Sequence, residues 1–109
     1  MQDTRLSSPA LDDAVARLDG WTLAADHGHI TRSWNFDSFA TAMAFWRQVA
    51  ALAEQHDHHP EFLSLYTHIR LRLWTHDAGG LTRKDMALAA DVDALVAGAF
   101  AQRLQAANP

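Results

Sequence analysis

Residues 62–76 read FLSLYTHIRLRLWTH, and the period of this stretch decides the fold. Apolar residues recur at every second position, with Leu63, Leu65, Ile69, Leu71 and Leu73 at odd numbers and Ser64, His68, Arg70 and Arg72 between them. Such alternation belongs to strands with one buried face, because successive side chains point to opposite sides. The spacing assigns the odd positions to the core and the even ones, including Phe62, Tyr66, Trp74 and His76, to a polar face with aromatics. Fifteen residues exceed an ordinary strand, so the stretch is expected to fold back as two strands with a tight turn or bulge near Tyr66 to His68.

Working outward, Pro60 stands on the N-terminal side and disfavours helix at His59, which places the end of a preceding helix there. That helix opens at the capping pair Asp37-Ser38. It carries two neighbouring apolar stripes, Phe39, Met43, Trp46, Ala50 and Ala53 in one and Ala42, Phe45, Val49 and Leu52 in the other. The wide apolar arc suggests a sheet on one side and a partner subunit on the other. Upstream, Trp21, Leu23 and Ala25 alternate, a turn follows at Asp26-His27-Gly28-His29, and Ile30, Trp34 and Phe36 share a face, which reads as a hairpin. Ser8 as N-cap, Pro9 at the first helical position, Asp12 and Asp13 in the first turn and Gly20 as a stop delimit a short first helix. On the other side, Gly79-Gly80 breaks the strand and Thr82 with Asp85 forms a capping box for a last helix through Leu88, Val92 and Leu95. The order is αββαββα, an α+β fold in which three helices pack on one face of a four-stranded antiparallel sheet, as one domain over residues 1–109.

With 109 residues, 49% of them apolar, the chain can bury a core of its own. The absence of cysteine excludes disulfides and Cys-based zinc or redox sites. A formal net charge of −4 without clustered Lys and Arg argues against nucleic-acid binding. No apolar leader region or membrane-length run is visible, so a soluble cytoplasmic protein is expected.

Three of the seven histidines crowd into HDHHP at 56–60, and His76 stands at the end of the last strand. If these two element ends meet, His58, His59 and His76 form a cluster. Their charges repel one another, and a neutral ring can accept a proton that a charged ring donates, which is the equipment for general acid–base catalysis. Two other readings remain open at this level: a surface decoration near a helix C-terminus, and a metal site built from His56, His58, His59 and His76. Asp85 reads as a cap and Glu54 as a solvated helix residue; Trp74, on the polar strand face, could stack on a flat ligand, but an aromatic strand residue more commonly packs against its neighbours or a subunit partner.

The order E-x-x-x-H-H-P-E-aromatic, then Tyr66, then T-H-D-x-G-G-L-T-x-x-D, resembles the pterin-4a-carbinolamine dehydratase family. The resemblance runs from about Leu18 to Leu95 and includes Gly20-Trp21 and the helix from Phe36 to Ala53. It implies the αββαββα fold and dehydration of a 4a-hydroxytetrahydropterin to the quinonoid dihydropterin, in recycling beside an aromatic amino acid hydroxylase. It further implies no metal and no bound cofactor, the pterin being the substrate. Catalysis then falls to His58, His59 and His76, while Glu54, Pro60, Phe62, Asp85 and Trp21 line or brace the pterin site. A homodimer or homotetramer is implied as well. A domain that keeps this fold but has lost the activity, serving only in assembly, is the competing reading, as is the His-cluster metal protein. Phe62 stands where many members carry tryptophan, and Lys84 where arginine is common.

Overall fold

The computed structural model describes residues 4–105. Ser7 caps α1 (Ser8–Ala16) by accepting from the Ala10 N–H, one residue earlier than the sequence suggests. Asp12 and Asp13 therefore fall beyond the first turn. The helix ends on Arg17, and Gly20, at φ +78°, instead turns the chain toward β1 (Thr22–Leu23). β1 pairs antiparallel with β2 (Ile30–Asn35). Ser38 caps α2 (Phe39–His56), which leads into β3 (Glu61–Leu65), β4 (His68–Leu73), a 3-10 turn at His76–Ala78 and α3 (Arg83–Leu95). A π-helical turn over Val96–Phe100 follows α3 and turns both Val96 and Phe100 into the core.

The four strands form one antiparallel sheet in the order β1-β2-β4-β3. Leu11 of α1, Ala42, Phe45 and Val49 of α2, and Leu88 and Val92 of α3 share one core with Ile30, Trp34, Ile69, Leu71 and Leu73 of the sheet. This is the expected α+β architecture. Phe45 sits at its centre, with the Trp34 and Phe36 ring centroids both 4.9 Å away and Phe100 edge-on at 5.4 Å. Burying one such side chain contributes about 1.5–3 kcal/mol.

Two expectations from alternation and stop signals need correction. The assignment of all odd positions in 62–76 to the core holds for β4 and fails for β3. Leu65 pairs with His68 across a two-residue turn whose Tyr66 takes a left-handed φ of 54°. In that register an odd residue of one strand faces an even residue of the other: Phe62 opposes Leu71, Ser64 opposes Ile69 and Leu63 opposes Arg70. Directly paired residues share a face, so Leu63 and Leu65 lie on the outer face with Arg70 and His68. Leu65 and Tyr66 are 71% and 72% exposed as a result. The second correction concerns α2, which stops before Pro60 can act. Asp57 adopts the left-handed conformation, its N–H and that of His58 bond back to the last turn, and the helix closes. Of the two stripes on α2, one buries Ala42, Phe45 and Val49 completely and leaves Leu52 half-buried, whereas Phe39 in the other is 50% exposed.

Candidate functional site

The left-handed turn at Asp57 gives His58 and His59 their places. It lifts the chain off the α2 axis, so that His58 turns inward and His59 outward. On the other side, the Thr75–Gly80 bridge closes a tight loop after β4, with the Thr75 N–H donating to the Gly80 carbonyl at 2.8 Å and the 3-10 turn inside it carrying His76. Among the described residues, Asp57, His58, His59, Trp74, Thr75, His76, Asp77 and Lys84 line one cavity of about 270 Å³. The two histidine sites that the sequence separates by 17 positions thus share a single cleft.

Beneath the cleft lies Asp85, with no exposed surface. Its Oδ2 accepts from the Thr82 N–H at 2.9 Å, completing the capping box of α3, and from the Thr75 hydroxyl at 2.7 Å. Its Oδ1 lies 2.5 Å from His58 Nε2. A buried carboxylate requires such partners, because an unpaired charge there is costly. With both donors to Oδ2 fixed, Oδ1 presents an acceptor to His58, which places the ring proton on Nε2 and leaves Nδ1 as the other nitrogen. His59 Nε2 has its own carboxylate, Glu54 Oε1 at 2.6 Å, at the exposed rim. His76 is exposed, and its ring makes no hydrogen bond to another described residue, its carbonyl alone accepting from the Gly79 N–H at 3.1 Å. The three rings are therefore unlike: one anchored on a buried acid, one on a surface acid, one unattached.

The remaining residues singled out from the sequence lie around this cleft or away from it. Pro60 follows His59 and starts the run into β3 without lining the cavity. Phe62 stacks on Trp46, with centroids 3.7 Å apart and planes at 21°, and so packs β3 against α2 without lining the cavity. Trp21 is buried elsewhere: its Nε1 donates to Asp93 Oδ1 at 2.7 Å, an oxygen that also takes a 2.6 Å hydrogen bond from Arg32. Its partners are α3 and β2 rather than the histidines. His56 reaches Asp91 of α3 at 2.6 Å and points away from the cluster. Among the described residues no three His, Asp or Glu side chains are arranged to hold a metal ion.

Sequence reasoning left Thr75 out of this cleft and preferred packing to ligand stacking for Trp74. Thr75 could have been found from the T-H-D motif, since a hydroxyl beside a capping acid commonly donates to it. Trp74 could have been found from parity, because it stands two positions before His76. The link from His58 to Asp85 joins residues 27 apart and has no local signal.

The fold and the site together define a small α+β domain whose two histidine-bearing element ends meet beside a buried capping acid. Comparison with known proteins gives the family. The model for pterin 4 alpha carbinolamine dehydratase matches residues 4–95, and the chain belongs to that family. A Sinorhizobium medicae protein carrying that dehydratase name provisionally is 42% identical over 98 residues, which cover 90% of this chain and 93% of the relative. A Sinorhizobium fredii protein under the same provisional name is 38% identical over 96% of this chain and its own full length. The crystal structure of a transcriptional coactivator/pterin dehydratase from Brucella melitensis superposes with a TM-score of 0.81 at 37% identity, covering 84% of this chain and 98% of that one. A second structure, of a pterin dehydratase-like protein identified as a RuBisCO assembly factor in the alpha-carboxysome, gives 0.60 at 28% identity over 71% of this chain and 89% of that one.

Proposed function

We propose that the protein dehydrates a 4a-hydroxytetrahydropterin to the quinonoid dihydropterin by histidine acid–base catalysis. The observation that carries this reading is the gathering of His58, His59 and His76 around one cleft with Asp85 behind His58. The reaction breaks the C4a–O bond, and the oxygen leaves as water after gaining a proton. The N5–H bond gives up its proton, and its electron pair forms the C4a=N5 double bond. Hydroxide is a poor leaving group and N5–H a poor acid, so both transfers profit from positioned groups, together about 10²–10⁴ in rate.

We assign His58 to the N5 proton. Asp85 holds its Nε2–H, so Nδ1 carries the lone pair that accepts, and the carboxylate then faces the charge that develops on the ring. His59 and His76 supply the proton to the departing oxygen and hold the substrate. Glu54 orients His59 from the rim. The proposed setting is cytoplasmic pterin recycling beside an aromatic amino acid hydroxylase, which generates the carbinolamine, with no resident cofactor.

We also propose a homodimer or homotetramer. β3 is an edge strand of the sheet, and Leu63, Leu65 and Tyr66 stand exposed along it. Unpaired edge groups with apolar side chains beside them favour pairing with a second copy.

The deciding experiment is the dehydration rate of freshly generated 4a-hydroxytetrahydropterin, with and without the protein, in the presence of a chelator. Acceleration that persists under chelation and disappears in His58→Ala supports the reading. A rate equal to the spontaneous one leaves the chain as an assembly module of this fold. Acceleration that chelation abolishes would instead mark a metal site.

A further inference from the structure

Of the four tryptophans, three are committed within the fold. Trp21 donates to Asp93 and meets Trp34 edge-on at 6.1 Å, Trp34 lies in the core against Phe45, and Trp46 stacks on Phe62. Trp74 alone among them has no ring partner among the described residues, and it is the one aromatic in the wall of the histidine cleft. Its backbone is held firmly. It directly follows β4, and the next residue, Thr75, is fixed by the Gly80 bridge and by its hydrogen bond to Asp85. Trp74 is itself half-buried and lines the cleft together with His58 and His76.

A half-buried indole without a ring neighbour invites a flat, electron-poor partner, because offset stacking gains from complementary π-systems. The cavity of about 270 Å³ suits a bicycle rather than an extended ligand. We propose that Trp74 is the stacking platform for the 2-amino-4-oxopyrimidine ring of the substrate, making it a specificity-determining residue of the site. The inference rests on the dehydratase reading for the identity of the heterocycle. Of the two roles that the sequence offers for Trp74, it takes stacking over packing. A flat ring laid on the indole presents its edge to the histidines, where protons must move, and leaves ligands without a planar π-face weakly held.

The test uses 7,8-dihydropterin, a reduced pterin that has no 4a-hydroxyl to lose, titrated by calorimetry and by tryptophan fluorescence into wild type, Trp74→Phe and Trp74→Leu. Expected are saturable quenching in wild type, loss of most of it in Trp74→Phe with Kd changed less than about threefold, and a Kd raised about tenfold or more in Trp74→Leu. In turnover, Trp74→Leu raises KM more than it lowers kcat, as loss of ground-state binding does. A Trp74→Leu protein that binds within about twofold of wild type overturns the proposal. Should Trp74→Leu misfold by circular dichroism, Trp74→Phe decides, since undiminished quenching there places the bound ring away from residue 74. If wild type binds through Trp74 yet accelerates no dehydration, the dehydratase reading fails and the platform stands. If wild type does not bind at all, both fall.

Discussion

Replacing Asp85 by asparagine separates the two tasks of that side chain. The amide oxygen can take the place of Oδ2 and keep the Thr75 hydroxyl and the Thr82 N–H as donors, so the capping of α3 survives. The amide nitrogen then occupies the Oδ1 position, 2.5 Å from His58 Nε2 in the native site, and donates where a carboxylate accepted. His58 must answer with a lone pair on Nε2, which moves its proton to Nδ1 and removes the nitrogen that accepts from the substrate. The folding cost is the exchange of one charge-assisted hydrogen bond for a neutral one, about 1 kcal/mol, or about 4 °C in Tm for a domain of this size. The catalytic cost is much larger, because a fixed wrong tautomer forfeits general-base catalysis, about 10²–10⁴ in kcat. Stopped-flow dehydration at saturating substrate and thermal melting by circular dichroism measure the two separately. A folded Asp85→Asn protein whose kcat stays within about threefold of wild type would refute the assignment of His58 and its tautomer.

Three further expectations follow from the same geometry. His76→Ala should leave the melting temperature nearly unchanged, within about 0.5 kcal/mol of stability, since the ring is exposed and bonds to no described residue, while dehydration falls about 10²–10⁴-fold; equal rates would remove His76 from the site. The Thr41 hydroxyl and the Arg103 guanidinium hold the Asp37 carboxyl below its ordinary value, so its stabilising share is present above the ordinary carboxylate range and fades as pH falls through the lowered value. Melting curves of wild type and Asp37→Asn should therefore differ at neutral pH and converge in acid, and a constant gap would refute the pairing. Leu65→Asp places a charge on the exposed edge of β3 and should shift the sedimentation mass to that of a monomer; an unchanged mass would place any assembly elsewhere.

The parts of the fold legible in the sequence were those with a local signal. Strand period, the Thr82–Asp85 capping box and Gly79-Gly80 marked β4, α3 and the loop between them, because each works within a few residues. The face of β3 was not legible, since it depends on register: a two-residue turn at Tyr66-Thr67 inverts the parity that the unbroken stretch suggests. The stop of α2 was assigned to Pro60, the conspicuous helix breaker, although Asp57 reaches the left-handed conformation first. In the site, crowding and position at element ends marked the histidines. Their differences were hidden, because Asp85 is assigned as a cap by its neighbours and as the partner of His58 only by the fold.

That double use of Asp85 narrows what position 85 can hold. A capping box accepts glutamate at this position at least as readily as aspartate. One further methylene, however, would drive a carboxylate already 2.5 Å from His58 into the imidazole or away from Thr75. Serine or threonine would lack the second oxygen. The helix start alone would tolerate several residues and the ring alone would tolerate several more, but their intersection leaves only the short acid. Drift at this position is thus closed from two directions, and an ordinary helix-start signal doubles as the seat of a histidine's partner.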